Sequence, residues 1–244
     1  MSSTDSTPPA SEGRFDLGRR MFRGGHITEL EDLTPTSRRM RLAGPKLSGV
    51  TWAPGTHVRI KLGALTLRTY SVWDADPHEG WIDLVIFDHQ GPDSIGRTWA
   101  ENARIGQYVV ALRDPRTISL LPDAPWHLFA GEETAAPAFG SLMRAVPASA
   151  MVVGVQQADG EDDHITLPRP LTRIERHGAS AASSQQLVDA VAALDLPEVP
   201  GAAYLFGEAR TIQMIRTHLV KDRGWNRRSI VTKPFWTPGK RGLD

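Results

Sequence analysis

The sequence predicts two domains of different class, an antiparallel β-barrel followed by an α/β domain with a parallel sheet. Short strand-like segments, separated by glycine and proline, fill residues 15–119, as in small barrels. After about residue 120 apolar strands alternate with helices, which is typical of a parallel sheet. A chain of 244 residues is long enough for two domains of ordinary size. We therefore expect a tail at 1–13, a barrel domain at 14–118 and an α/β domain at 119–244.

Six segments of the first domain predict the strands of the barrel. They lie at residues 26–33, 38–42, 57–62, 67–73, 81–88 and 108–113. One helix, predicted at 94–103, interrupts the strands and opens directly after Gly91-Pro92-Asp93.

The second domain is predicted to alternate strand and helix three times. The strands lie at 126–130, 150–156 and 202–206, and the helices at 135–145, 183–194 and 209–221. Ligands of such sheets bind at the carboxyl ends of the strands, where Gly131 and Gly207 stand.

Composition excludes several classes of protein. Basic and acidic side chains both total 28, so no global field favours nucleic acid or an anionic membrane, and no apolar run is long enough to span a bilayer. The absence of cysteine removes disulfides, thiolate nucleophiles and cysteine-bound iron–sulfur clusters. Residues 1–13 lack the pattern of a signal peptide and read as a disordered tail, so we expect a cytoplasmic protein.

The segment Arg68-Thr69-Tyr70-Ser71 is the first candidate for chemistry. The period of two in a strand places Arg68 and Tyr70 on one face, where a guanidinium and an aromatic ring can meet one ligand. Arg68 is suited to a pyrophosphate, and the Ser71 hydroxyl to a hydrogen bond with a flavin ring. Taken alone, an ordinary barrel strand with an exposed arginine explains the tetrapeptide better.

Two turns are candidates for phosphate and dinucleotide contacts. The turn 91–94 opens a helix, whose free N–H groups can hold a phosphate, although for this segment taken singly a plain cap by Asp93 or Ser94 explains it better. The turn 131–137 joins a strand to a helix and carries Glu132 and Glu133, but it lacks a G-x-G-x-x-G pattern and also fits a simple tight turn. The acidic run 161–164 reads as a solvated turn, so we predict no metal site.

In this order, five motifs resemble the siderophore-interacting protein family, flavin-dependent ferric-siderophore reductases related to ferredoxin-NADP reductases. The resemblance covers nearly all of residues 14–239. The motifs lie at 68–71, at 91–94 with Trp99-Ala100, at 130–138, at 206–209 and at 235–239.

The resemblance implies FAD and a nicotinamide nucleotide, NADPH or NADH, as cofactors, and it assigns residues to three sites without naming a catalytic residue. The FAD site is expected to comprise Arg68, Thr69, Tyr70, Ser71, Phe87, His89, Gly91, Pro92, Ser94 and Trp99. The NAD(P)H site is expected to comprise Gly131, Glu132, Glu133, Thr134, Pro137, Arg173, Arg176, Gly207, Glu208 and Arg210. The substrate site is expected to comprise Arg59, Lys61, Lys233, Trp236 and Lys240.

The implied activity is transfer of electrons from NAD(P)H through FAD to a ferric siderophore, which releases Fe(II) for iron assimilation. The alternatives are a general NAD(P)H:flavin or ferredoxin-type oxidoreductase with another acceptor, and a siderophore-binding flavoprotein without turnover. We expect a monomer with a small-molecule substrate and no nucleic-acid partner or membrane insertion.

Several positions depart from the family pattern. Trp73 stands where an arginine usually continues the flavin strand, Phe87 and Asp88 stand at the usual His-Gly, and His89 is the alternative to that histidine. Thr237 replaces the basic residue of the tail, which Lys240 and Lys233 are expected to compensate.

In the segment 171–178, Arg173 replaces a tryptophan and Arg176 is retained. A guanidinium pair there predicts a modest preference for NADPH, with a solvated loop as the alternative.

Overall fold

The computed structural model describes residues 22–63, 66–87, 95–114 and 117–240. Six antiparallel strands form a closed barrel in the order β1-β2-β5-β4-β3-β6. They are β1 (Phe22–Thr34), β2 (Ser37–Ala43), β3 (His57–Lys61), β4 (Leu67–Asp76), β5 (Trp81–Phe87) and β6 (Tyr108–Arg113). The predicted barrel and its six strands are confirmed, and β1 begins four residues before the predicted strand.

Alternation of apolar side chains builds the barrel core. Met40 and Leu42 of β2 and Ile82 and Leu84 of β5 are fully buried, each two residues apart as one face of a strand requires. The helix α1 (Ile95–Asn102) lies beside the barrel and contributes Ala100 to the same core.

An ion-pair network ties three neighbouring strands together on the outside of the barrel. Asp83 of β5, whose side chain is almost fully buried, pairs with Arg39 at 3.1 Å and with Arg41 at 2.8 Å on β2. Both arginines also pair with Glu29 of β1, at 2.7 and 2.8 Å. Because the central carboxylate of Asp83 is buried, loss of this network should destabilise the fold more than loss of an isolated surface pair.

The second domain is a parallel sheet of five strands in the order β11-β10-β7-β8-β9. The strands are β7 (Trp126–Glu132), β8 (Met151–Ala158), β9 (Thr172–Glu175), β10 (Ala202–Glu208) and β11 (Ile230–Trp236). The helices are α2 (Ala136–Ala145), α3 (Gln185–Ala192) and α4 (Ala209–Lys221). The predicted α/β domain is confirmed, but β9 and β11 were not predicted as strands.

Helices cover both faces of this sheet, which explains why β7 and β10 are buried along their whole length. On one face Phe139 and Leu142 of α2 pack against the stacked rings of Phe129 and Tyr204, whose centroids are 4.8 Å apart. Leu187, Val191, Ile212, Ile215 and Leu219 from α3 and α4 fill the other face.

The connection between the domains is fixed at both ends. Ile118 N donates to Gly55 O at 3.1 Å, and Leu121 N donates to the hydroxyl of Tyr204 at 2.8 Å. The predicted boundary at residue 118 lies in this connection, between the end of β6 and the start of β7. Among the described residues, none of the helices has the length and apolar character needed to cross a bilayer.

Candidate functional site

The two domains meet where helix α2 packs against strand β4. The ring of Trp73 lies against Gly140, where a Cβ atom would overlap it, and the guanidinium of Arg144 lies 4.7 Å from the ring centroid. Arg144 Nη1 also donates to Trp73 O at 2.6 Å. Trp73 therefore has a packing role in the junction, at the position where the family usually carries an arginine.

An apolar cluster extends this junction to the carboxyl edge of the parallel sheet. Ala136, the first residue of α2, packs with Val85 and Phe87 of β5, and Trp73 and Ile165 complete the group. The end of β5, the middle of β4 and the turn after β7 thus meet at one place.

The predicted flavin residues on β4 lie beside this junction. Arg68 Nη1 donates to Leu67 O at 2.9 Å, and a guanidinium carries further N–H donors of the kind that bind an anion. Ser71 is buried, and its Cα lies opposite that of His57 in the register of β3 and β4. Thr69 is half-buried opposite Arg59.

Helix α1 covers the ring of Tyr70. The ring lies 6.0 Å from that of Trp99 in a tilted contact, and its hydroxyl faces Gly96. Burial raises the pKa of Tyr70 to about 12, which keeps the phenol neutral. Direct contact of this ring with a flavin stays a prediction.

Four residues of the predicted FAD site, His89, Gly91, Pro92 and Ser94, lie outside the described residues. Phe87 is buried in the cluster at the junction, and Trp99 is half-buried on α1. The donor set that is described, a guanidinium and several hydroxyls beside aromatic rings, fits a flavin nucleotide.

At the carboxyl end of β7, Glu132 caps the turn that leads into α2. Its carboxylate accepts from Thr134 N at 2.8 Å, from the Thr134 hydroxyl, and from Trp236 Nε1 of β11 at 3.0 Å. The residue is 2% exposed. Burial, and then the charge of Glu133, raise the pKa of Glu132 to about 7.

Glu208 occupies the equivalent place at the end of β10, but its pKa is shifted in the opposite direction. Its carboxylate accepts from the N–H groups of Arg210, Thr211 and Ser183 at 2.8 to 3.0 Å. Burial acts to raise the pKa of Glu208, but these hydrogen bonds outweigh burial and hold the pKa below its ordinary value. Both strand-end glutamates, expected in the nucleotide site, serve as caps.

The structure also explains why glycine stands at positions 131 and 207, which were both predicted for the nucleotide site. At Gly131 a side chain would meet Phe206 O and the Cβ of Ala135, so neighbouring protein atoms already require glycine there. Gly207 has φ of +116°, and the carboxylate of Glu132 lies where its Cβ would be.

Arg176 is bound to Glu133 through a two-point ion pair. Nη1 and Nη2 lie 2.6 and 2.7 Å from the two carboxylate oxygens, and Nε donates to Ala179 O at 3.2 Å. The sequence suggested that the Arg176 guanidinium could meet a 2′-phosphate, but in the structure this guanidinium is already paired with Glu133. Arg173 is exposed on β9, Pro137 is buried in the first turn of α2, and Arg210 is exposed on α4.

Four of the predicted substrate residues lie on β3 and β11, and Lys240 follows β11. His57, Arg59 and Lys61 share one face of β3, and the His57 ring lies 6.0 Å from that of Phe235 on β11. Arg59 pairs with Asp114 at 3.4 Å. Lys61 and Lys240 are exposed, Lys233 is half-buried on β11, and Trp236 is bound to Glu132.

Sequence reasoning missed the residues of α2 that hold the barrel. Ser141 Oγ accepts from Gly55 N at 3.2 Å, next to the contacts of Gly140 and Arg144 with Trp73. A glycine in the middle of a helix was the available signal, since glycine weakens helices and usually has a packing reason there.

The comparisons with known proteins agree with this architecture. The siderophore-interacting protein family matches residues 124–239. The mycobactin import ATP-binding/permease protein IrtA of Mycolicibacterium thermoresistibile is 25% identical over 232 residues, which are 88% of this chain and 25% of that protein. The ferric vibriobactin reductase ViuB of Vibrio cholerae is 26% identical over 181 residues, which are 72% of this chain and 65% of that protein. The chain thus spans a quarter and about two thirds of the lengths of these two relatives.

A siderophore utilization protein from T. fusca has a similar structure, with a TM-score of 0.79 at 24% identity, over 91% of this chain and 95% of that chain. The FAD/NAD-binding domain of a nitric oxide dioxygenase from Vibrio cholerae has the same fold, with a TM-score of 0.70 at 14% identity, over 88% of this chain and 99% of that chain. The family match and the shared fold agree with the resemblance seen in the motifs.

Proposed function

Since the chain is related to the siderophore-interacting proteins, we propose that it is a flavin-dependent reductase of ferric siderophores. Electrons would pass from NADPH or NADH through FAD to the chelated Fe(III), and Fe(II) would be released for iron assimilation. The observation that carries this proposal is the junction of β4 with the carboxyl edge of the parallel sheet. There, hydrogen-bond donors suited to a flavin lie beside a sheet edge suited to a dinucleotide.

The residues of the junction would bind and orient the cofactors. Arg68 would pair with the pyrophosphate of FAD, and the hydroxyls of Thr69 and Ser71 would offer hydrogen bonds near the flavin ring. The nicotinamide nucleotide would lie along the edge formed by the turns after β7 and β10. Bound FAD would supply the conversion of a two-electron donor into single electrons for the metal.

Release of iron follows from coordination chemistry. Hard oxygen donors of a siderophore hold Fe(III) better than the larger and less charged Fe(II), so reduction weakens the chelate. The protein then needs to provide a surface that attracts an anionic chelate. Arg59 and Lys61 of β3, with Lys233 of the adjoining β11, would form such a surface.

Flavin content tests the cofactor part of the proposal without any turnover. The purified protein should be yellow, and Arg68→Ala should lower FAD occupancy strongly, because a charge-assisted hydrogen bond to phosphate contributes about 1.5 to 3 kcal/mol. Arg228→Ala, which removes an exposed arginine after α4, is the matched control and should keep its flavin. Full flavin retention by Arg68→Ala contradicts the assignment.

Anaerobic stopped-flow absorbance tests the reaction. Flavin bleaching by NADPH or NADH, followed by reoxidation on adding a ferric siderophore, is the expected sequence. Bleaching without reoxidation by the chelate would favour a general reductase with another acceptor. A bound flavin that neither nucleotide bleaches would favour a siderophore-binding flavoprotein.

A further inference from the structure

The loop after β9 lies at the edge of the sheet where the adenosine half of a dinucleotide is expected. Chain order reverses between β7 and β10, which makes the crevice between them the binding place for a dinucleotide. One half of the nucleotide then extends over the ends of β8 and β9. There an acidic side chain suits a free ribose 2′-hydroxyl, and an arginine suits a 2′-phosphate.

Arg176 is the arginine at this place, and it is paired with Glu133. Both terminal nitrogens bind the carboxylate, at 2.6 and 2.7 Å, and Nε binds Ala179 O. The side chains of Arg176 and Glu133 are 8% and 18% exposed. A partly buried bidentate pair is a strong ion pair, because solvent screens it little.

The surroundings of the pair are acidic. Asp159 at the end of β8 accepts from Gly178 N at 2.8 Å and also attracts Arg176. Glu175 of β9 lies 3.3 Å from His164. Three carboxylates thus accompany Arg176 and the exposed Arg173 in this part of the sheet edge.

We propose that Glu133 determines nucleotide preference by occupying the guanidinium of Arg176, so that the protein favours NADH over NADPH. This inference rests on the proposed use of a nicotinamide nucleotide. It reverses the modest NADPH preference predicted from the sequence, which required a free Arg176. A 2′-phosphate carries a charge of about −1.5 to −2 and would have to displace Glu133, leaving that carboxylate unpaired beside a second anion.

Binding of two fragments to the purified holoprotein tests the inference. Isothermal titration calorimetry with 5′-AMP and 2′,5′-ADP compares the same ligand without and with the 2′-phosphate. In the wild type, 2′,5′-ADP should bind no more tightly than 5′-AMP. In Glu133→Gln it should bind at least tenfold more tightly than in the wild type, whereas affinity for 5′-AMP should change less than twofold.

Two further variants separate release of Arg176 from a general loss of charge. Glu175→Gln removes a negative charge from the same region without freeing Arg176, and it should gain less than threefold for 2′,5′-ADP. Adding Arg176→Ala to Glu133→Gln should abolish the gain.

A tenfold preference of the wild type for 2′,5′-ADP overturns the inference even if Glu133→Gln does not fold. An equal gain in Glu175→Gln also overturns it, since charge alone would then explain the effect. Failure of the wild type to bind either fragment contradicts the nucleotide site of the proposed function itself.

Discussion

Replacing Glu132 by glutamine should change how the stability of the protein depends on pH. Burial and the neighbouring charge of Glu133 raise the pKa of Glu132 in the folded state to about 7, from an ordinary value of 4.5. A carboxyl group with a raised pKa binds its proton more tightly in the folded state. Its contribution to stability is therefore fully present below about pH 4.5 and is lost as the pH rises through 7. Glutamine keeps the shape and acceptor oxygen of the side chain but cannot ionise.

The size of the effect follows from the shift in pKa. Each unit corresponds to about 1.4 kcal/mol, so the full shift corresponds to about 3 kcal/mol. Between pH 5 and pH 8 the wild type should lose between about 2 and 3 kcal/mol of unfolding free energy relative to Glu132→Gln.

Urea unfolding followed by tryptophan fluorescence at pH 5, 6, 7 and 8 measures this difference. Glu208→Gln is the matched control, because Glu208 is an equally buried cap at a strand end. Its pKa lies below the ordinary value, so its difference from the wild type should stay nearly constant over this range. A difference between wild type and Glu132→Gln that also stays constant from pH 5 to 8 would refute the reasoning.

Three other changes test the junction, the barrel and the substrate surface. Gly140→Ala should destabilise the protein by about 1 to 3 kcal/mol in urea unfolding, because its Cβ would overlap the Trp73 ring. Asp83→Ala should cost about 3 kcal/mol in the same assay, because it leaves two arginines without their buried partner. Joint replacement of Lys233 and Lys240 by alanine should raise KM for an anionic ferric siderophore and flatten the salt dependence, while NAD(P)H-driven flavin reduction stays intact.

Each of these changes has a control or a contrary outcome. Asp32→Ala removes an exposed carboxylate that pairs with Arg38, and it should cost less than about 0.5 kcal/mol. A loss as large as that of Asp83→Ala would show that burial is not what matters. Wild-type stability of Gly140→Ala would mean that Trp73 yields to the added methyl group. Unchanged kinetics of the lysine variant at low salt would place the chelate elsewhere.

The class of each domain could be predicted because apolar periodicity is strong in the long strands and helices. The two strands that were missed lack this signal. Strand β9 has only four residues, Thr172–Glu175, of which two are charged. Strand β11 contains Pro234, and a proline argues against a strand when only the sequence is known. In the structure β11 lies at the edge of the sheet, and an edge strand tolerates proline on its unpaired side.

The motifs indicated which strand ends carry the candidate residues, but they did not indicate the partners of those residues. Glu132 follows a strand, as a nucleotide-binding residue would, but its partner Trp236 lies 104 positions away in the sequence. The pairing of Glu133 with Arg176 likewise depends on two strands that pack at one edge. Sequence spacing places such residues at the carboxyl edge of the sheet, whereas only the folded chain shows which donors and acceptors are already used.

Helix α2 holds the two domains of the molecule in contact. Its first turn follows the Glu132 cap, and its middle and end are fastened to Trp73 through Gly140 and Arg144. Because this helix is held at both ends, the carboxyl edge of the parallel sheet has little freedom to shift relative to the barrel. For the proposed reductase, the gap that an electron must cross would therefore be set by side-chain packing along one helix, and not by a hinge that opens in each turnover.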